Sequence, residues 1–280
     1  MTSLAGRRIE LWVERRDGTA AVNPVMRALL EDLERAGAVC AVRTPESELI
    51  DVDDVEPDPS GLILLKSATA LALSLALASE VAGATCLNGA RATLAAHDKA
   101  ATIARLHAAG LPVPRTLLAA GGATLDPGDG AAGAWISKPV RGVHGRGVTV
   151  HDQYPSKLGV DIRPASVPDD SVWLVQRYVG DDQPDTKVYV ANRRCFVASK
   201  RFSPSSYASD GIERRALAGA EAGLVFAVGE ALELCCFGVD LRHDDGQPVI
   251  IDANPFPGYR GFPDAVPALR VEVERTLPGR

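Results

Sequence analysis

The chain has 280 residues, 46% of them hydrophobic, and a formal net charge of −6, enough apolar material for a sizeable core and the wrong sign for a general nucleic-acid binder. No apolar run reaches the roughly 18 residues that span a bilayer, and the opening MTSLAGRRIELWVERR lacks the charged, apolar, small-residue order of a secretory signal. The five cysteines (Cys40, Cys86, Cys195, Cys235 and Cys236) are scattered without a C-x-x-C, so they read as reduced thiols of a cytoplasmic protein, while charge and apolar-run length predict neither a nucleic-acid nor a membrane partner.

In chain order, IELWV (9–13) predicts a strand, and Asn23 can cap a helix that carries Val25, Met26, Leu29, Leu30 and Leu33 and ends near Gly37. AVCAV (38–42) is a second strand, the acidic stretch between Glu46 and Asp58 a solvated loop, and GLILLK (61–66) a buried strand. An alanine-rich helix and ATCLN (84–88) follow. Strands alternating with helices predict a small open parallel sheet, and without a G-x-G-x-x-G after the first strand it is not a dinucleotide site. Two short helices come next, the second capped by Asp98 and stopped at Gly110, then the strand TLLAA. The turn-rich segment 121–134 marks a boundary. WISKPV (135–140) is a strand, GVHGRG (142–147) a glycine loop, VTV a returning strand, and VWLVQRYV (172–179) another. Residues 186–202 form a hairpin turning at Asn192-Arg193, and helical spacing runs from Ala216 to Glu233.

The last informative stretch is VIIDANPFPGYRGF (249–262). Its β-branched run reads as a buried strand, and period-two alternation sends Asp252 and Asn254 to one side of it. GVDL places Asp240 on a preceding strand, with Asp244 to Gly246 as the turn between them. Three hard oxygen donors, Asp240, Asp252 and Asn254, therefore converge in a pattern that suits Mg²⁺. A hairpin with a polar end fits these residues equally well. Lys138 with Gly142, Gly145 and Gly147 could cradle phosphate oxygens through backbone N–H groups, with His144 inside the loop, or form a plain hairpin. Lys187 and Tyr189 share one face of the 186–202 hairpin. The segment 203–215 ends in Arg214 and Arg215, which would suit an acidic substrate.

Four motifs in order, DK-x(6)-L-x(3)-GLPVP, SKPVRGVHGRGV, VQRYVG-x(4)-DTKVYV and GVDL with DANPFPGY, resemble the ATP-grasp superfamily over roughly residues 84–262. The resemblance implies α/β and α+β architecture in three domains: an N-terminal open α/β domain over 1–88, a central lid over 125–179, and a C-terminal α+β domain from 89–124 and 180–280. It implies Lys99 and Lys138 on ATP phosphates, Gly142, His144, Gly145 and Gly147 in the lid, and Gln176, Arg177, Tyr178 and Val179 as the adenine hinge. Asp185 would lie near the ribose. Asp240, Asp252 and Asn254 would hold one or two Mg²⁺ ions, or Mn²⁺ in their place. Lys187 and Arg201 would act on the transferring phosphate or the substrate carboxylate. The reaction implied joins a carboxylate to an amine through an acyl phosphate, releasing ADP and phosphate, on small molecules such as an amino acid or a peptide. The superfamily also accommodates a homodimer. Within it, the GRG of the lid and PGYRG resemble the ribosomal-protein-modifying and lysine-pathway glutamate ligases. Asp252 in place of a Glu, FPGYRGF and His144-Gly145 resemble the inositol trisphosphate kinases, so hydroxyl phosphorylation is the alternative.

Overall fold

The computed structural model describes residues 3–16, 18–120, 132–141, 147–154, 172–180, 184–200 and 213–279, with the side chain of Lys200 left out. Gly142, His144, Gly145 and Arg201, together with most of the segment 203–215, lie outside the described residues.

The first part opens with β1 (Arg8–Trp12), the short hairpin β2 (Arg15–Arg16) and β3 (Thr19–Ala20), and α1 (Pro24–Arg35). Asn23 Oδ1 accepts from the N–H groups of Val25 and Met26, so the predicted cap is in place and Pro24 opens the helix where its missing N–H does no harm. β4 (Val39–Arg43), β5 (Leu62–Leu65), α2 (Ala70–Val81) and β6 (Cys86–Leu87) complete a parallel four-stranded sheet of order β4-β1-β5-β6. No helix bridges β4 and β5; apart from one 3₁₀ turn at Pro45–Ser47, that connection is loop, as its weak apolar periodicity predicts.

Next come α3 (Ala90–His97), α4 (Lys99–Ala108) and β7 (Thr116–Ala120), then β8 (Trp135–Pro139), β9 (Thr149–His151) and β10 (Val172–Arg177). These strands form a second, antiparallel sheet of order β7-β10-β8-β9. Residues 116–120 are thus hydrogen-bonded into the sheet of 135–177. Gly147, at φ +74, starts the return into β9 where a Cβ would stand 2.9 Å from Pro139 Cγ, so no other residue fits without displacement.

The third sheet is built from β11 (Asp185–Ala191), β12 (Arg194–Lys200), β13 (Glu213–Arg214), β14 (Phe237–Asp244) and β15 (Gln247–Pro255), in the order β13-β12-β11-β14-β15. The β11–β12 hairpin turns through Asn192 and Arg193, both at positive φ, as predicted. α5 (Gly219–Leu232) covers one face of this sheet with Val225, Val228 and Leu232. The closing helix α6 (Val266–Thr276), which sequence periodicity had not singled out, packs on α1.

The loop between β15 and α6 ties the parts together. Phe256, Tyr259 and Phe262 are almost wholly buried in one apolar cluster with Ile9, Leu11, Leu29 and Leu33 of the first part and Phe196 of the third sheet. The Tyr259 hydroxyl donates to the Val190 carbonyl at 2.6 Å, which satisfies the one polar atom that this burial removes from water. Three large aromatics, each worth about 1.5–3 kcal/mol when buried, hold the end of β15 against the first part of the chain.

Candidate active site

The β11–β14–β15 ladder sets side chains in rows. Lys187 stands opposite Asp240, and Asp240 opposite Asp252; in the next row of that face Tyr189 stands opposite Gly238 and Gly238 opposite Asn254. One face of the sheet therefore carries Lys187, Asp240, Asp252 and Asn254 together, as the hairpin reading of the sequence required. Gly238 contributes no side chain there, and a Cβ on it would meet Tyr189 Cδ1 at 3.4 Å and Pro257 Cβ at 3.6 Å, so those two side chains cover it. The register shifts just past Asp240, where Leu241 pairs with Ile250, so Ile251 is an extra residue. Its carbonyl accepts from Lys138 Nζ at 3.2 Å, which brings the end of β8 onto the same site.

Lysines surround the carboxylates. Lys187 Nζ lies 2.5 Å from Asp240 Oδ2, and Lys99 Nζ lies 3.8 Å from Asp252 Oδ2. Lys99 is delivered by the start of α4, where Asp98 Oδ1 accepts from the N–H groups of Ala100 and Ala101, both at 3.1 Å. Burial by itself would raise the Asp252 carboxyl, but Lys99, Lys138 and Lys187 together outweigh it and hold it below the usual carboxylate range. Burial would lower Lys187; the charge and hydrogen bond of Asp240 reverse that and keep it protonated. Burial pushes Lys138 down, with Asp252 resisting and Lys99 adding to the fall. The oxygen set of two carboxylates and an amide fits a hard divalent cation, and the lysines fit the phosphate oxygens that would complete its coordination. Among the described residues no group of three His, Cys, Asp or Glu side chains gathers as a metal site, so Asn254 must serve as the third protein donor of any such ion.

The segment 176–179, expected to be the adenine hinge, is held by backbone and side-chain hydrogen bonds. Arg177 N–H donates to the Arg115 carbonyl and Tyr178 N–H to Ala134, both at 2.9 Å, and the buried Gln176 side chain donates to Thr116 Oγ1 at 2.9 Å. Asp185 is buried and ion-paired with Arg242, Nε to Oδ1 at 2.6 Å. Arg242 also donates to the Val179 carbonyl at 3.0 Å and lies 4.7 Å from the Tyr178 ring centroid. Asp185 is thus tied through Arg242 to Val179 and Tyr178.

Arg214 and Arg215 are engaged by protein groups. Arg214 bonds the Gly261 carbonyl at 2.6 Å and Asp264 at 2.8 Å, and Arg215 bonds Glu221 at 2.6 Å and Thr186 Oγ1 at 2.7 Å. The expectation that they receive an acidic substrate therefore meets two arginines that already have carboxylate partners in the chain, Asp264 and Glu221. Three residues near the cluster carried no sequence signal for a role: Lys66, His97 and Arg260. Burial, Lys99 and Lys66 lower His97 to about 4, so it is neutral at pH 7.

No protein-family model matches the chain, and no curated protein does. Solved structures do. The chain is similar to a RimK-domain ATP-grasp protein from Sphaerobacter thermophilus, with 18% identity, a TM-score of 0.70, and 97% of this chain and 100% of that one covered. It is similar to D-alanine–D-alanine ligase from Bacillus anthracis complexed with ATP, with 14% identity, a TM-score of 0.70 and coverage of 97% and 96%. It is also similar to the ATP-grasp ligase PsnB complexed with a minimal precursor, Mg and ADP, with 17% identity, a TM-score of 0.60 and coverage of 95% and 98%. The chain has the ATP-grasp fold. Among the described residues, no helix is long and apolar enough to cross a membrane.

Proposed function

We propose that the protein is an ATP-dependent carboxylate–amine ligase. What carries the reading is the convergence of three lysines from three separate elements, α4, β8 and β11, on the facing carboxylates of Asp240 and Asp252. A site that pairs hard oxygen donors with surplus ammonium groups suits a polyphosphate with its divalent ion, since phosphoryl transfer needs positioning and charge neutralisation more than covalent help. Similarity to ligases of the same fold, one with ATP and one with Mg and ADP bound, supports it.

In this reading ATP lies between the second and third sheets. Gln176, Arg177, Tyr178 and Val179 form the adenine hinge, and Asp185 stiffens that hinge through Arg242. Lys99 and Lys138 contact the phosphates, and the segment with Gly142, His144, Gly145 and Gly147 covers them. Asp240, Asp252 and Asn254 would hold Mg²⁺, which would neutralise charge on the phosphate oxygens. A substrate carboxylate oxygen attacks the γ-phosphorus as the bond to the ADP oxygen breaks, giving an acyl phosphate and ADP. A neutral amine then attacks the acyl carbon, phosphate leaves, and the amine nitrogen loses a proton to solvent or base to give the amide. Lys187, with Arg201, stabilises the charge that collects on the transferring group. Its ion pair with Asp240 holds Lys187 in place before the substrate arrives.

The test is a coupled ADP-release screen over amino acids, peptides and polyols, with mass spectrometry of the products. Turnover that needs both a carboxylic acid and an amine, and that yields an amide, supports the ligase. A stable phosphorylated polyol formed without an amine would instead identify the hydroxyl kinase, the reading to which Asp252 in place of Glu points.

A further inference from the structure

A parallel sheet normally has both faces covered, because each crossover lays a helix on one of them. In the first sheet α1 packs on the face that carries Ile9 and Leu11. On the other face α2 brings Leu73, Leu75 and Ala76 against Trp12, Ile63 and Leu65. The connection from β4 to β5 carries no α-helix, so the β4 side of this second face is left to the loop 44–61. There Val39, Ala41 and Arg43 stand in register with Arg8, Glu10 and Trp12, and Val39 is 61% exposed. Between sheet, loop and α2 lies a cavity of about 440 Å³, with Glu10, Trp12 and Ile63 on the sheet side, Leu75 on the helix side, and Ile50 and Val55 from the loop. None of the described residues of the Asp240–Asp252 cluster lines it.

The rim of this groove is more acidic than the chain itself neutralises. Arg8 pairs with Glu10 at 2.7 Å and Arg43 with Glu48 at 2.6 Å. Asp51, Asp54, Glu56 and Asp58 line the same cavity and form no ion pair with a described residue. Apolar side chains stand among these carboxylates: Leu49 is fully exposed and Val52 is 69% exposed, although Ile50 and Val55 of the same loop pack on the cluster around Trp12. One exposed leucine needs no explanation, but here an uncovered sheet face, a cavity, two exposed apolar side chains and four unpaired carboxylates share one location. A second copy docked face to face would set the same four carboxylates against these, on a chain that already carries −6. A simple inorganic cation would leave the apolar surface uncovered. A polypeptide segment that interleaves apolar and basic side chains answers both features.

We propose that this groove docks a basic amphipathic segment of another protein. Its apolar side chains cover Leu49 and Val52 and enter the cavity, and its Lys or Arg side chains meet Asp51, Asp54, Glu56 and Asp58. The segment takes the place of the crossover helix that β4 and β5 lack. Exposed ion pairs contribute little singly, so apolar burial supplies most of the affinity, and the charges set orientation and association rate. The interaction is independent of the ligase reading, because the groove lies on the face of the first sheet and shares no residue with the lysine–carboxylate cluster.

The test uses two fluorescently labelled peptides of equal length and charge, one built from lysine and leucine in amphipathic order and one with serine in place of each leucine. Fluorescence anisotropy follows their binding to the full chain as wild type, as Asp51→Asn/Asp54→Asn/Glu56→Gln and as Leu49→Ser/Val52→Ser. The lysine–leucine peptide is expected to bind wild type about 10-fold or more tighter than the lysine–serine peptide. The charge variant is expected to weaken its binding about 3- to 100-fold and to flatten its salt dependence, and the apolar variant to weaken it about 10-fold. Hydrogen exchange of the wild type with this peptide is expected to slow in residues 39–43 and 48–58. All five substituted side chains are exposed, so urea unfolding of the three proteins is expected to coincide, and the exchange map locates the peptide without any variant. No binding by wild type, equal binding of the two peptides, equal binding by all three proteins, or exchange protection elsewhere overturns the proposal. A wild-type dimer in sedimentation that Leu49→Ser/Val52→Ser dissociates would assign the face to a second copy and overturn it as well.

Discussion

Replacing Arg242 with methionine removes a cation and leaves its partner carboxylate in place. Asp185 and Arg242 side chains are 6% and 7% exposed, and their contact is 2.6 Å. Methionine fills much of the volume of the arginine stem, so the loss is mainly electrostatic. An uncompensated buried carboxylate costs about 3–5 kcal/mol, and the cation–π contact with Tyr178 adds about 1 kcal/mol. For a chain of this size that lowers Tm by roughly 10 °C. Asp185→Leu combined with Arg242→Met removes both charges and is expected to recover most of the loss, as buried pairs replaced by apolar residues generally do. Urea unfolding of the wild type, both single variants and the double variant gives the coupling energy directly. Arg242→Met within about 1 kcal/mol of wild type, or a double variant as unstable as the sum of its singles, would refute the account of the hinge as held by a buried pair.

Lys66 makes a pH-dependent prediction. Its folded-state value of about 8 lies below the ordinary 10.5, so the charged form opposes folding fully below pH 8, and the opposition fades as pH rises towards 10.5. Lys66→Met is expected to be more stable than wild type by about 3 kcal/mol at pH 7 and by little at pH 10.5; equal stability at both pH values in urea titrations would contradict it. Gly229 sits within α5, where alanine would ordinarily help by about 1 kcal/mol, yet a Cβ there would lie 2.5 Å from Phe237 Cε1. Gly229→Ala is expected to destabilise by about 1–3 kcal/mol in a thermal melt, and a raised Tm would show that the packing argument is wrong. Asp252→Asn deprives Lys99 and Lys138 of their shared carboxylate and the metal of a donor. Mg²⁺-dependent enhancement of ADP binding, measured by calorimetry, should disappear in that variant; retention of the enhancement would remove Asp252 from the metal site.

The parts of the fold legible in the sequence are those set by local chemistry. Asn23 and Asp98 cap helices because an Asx side chain reaches the next N–H groups whatever surrounds it. Asp240, Asp252 and Asn254 could be brought together because period two and a tight turn fix a hairpin face. The bulge at Ile251 could not be read, since nothing in VII marks the residue that slips. α6 was missed although it begins beside Pro267, a proline in the first turn that its sequence displays. The β2–β3 hairpin also went unread, despite Asp-Gly at 17–18. The roles of the arginines were hidden for a different reason. Whether Arg214, Arg215, Arg242 or Arg260 is paired depends on carboxylates that the chain brings close from elsewhere, and charge alone does not carry that information.

The most direct test of the central claim is ADP release by the purified full chain with ATP and Mg²⁺, comparing wild type with Asp252→Ala plus Asn254→Ala across acid–amine pairs. The account predicts release that requires both an acid and an amine, an amide in the mass spectrum, and loss of turnover in the double variant. Turnover that survives the double substitution, or a phosphorylated hydroxyl made without any amine, would contradict it.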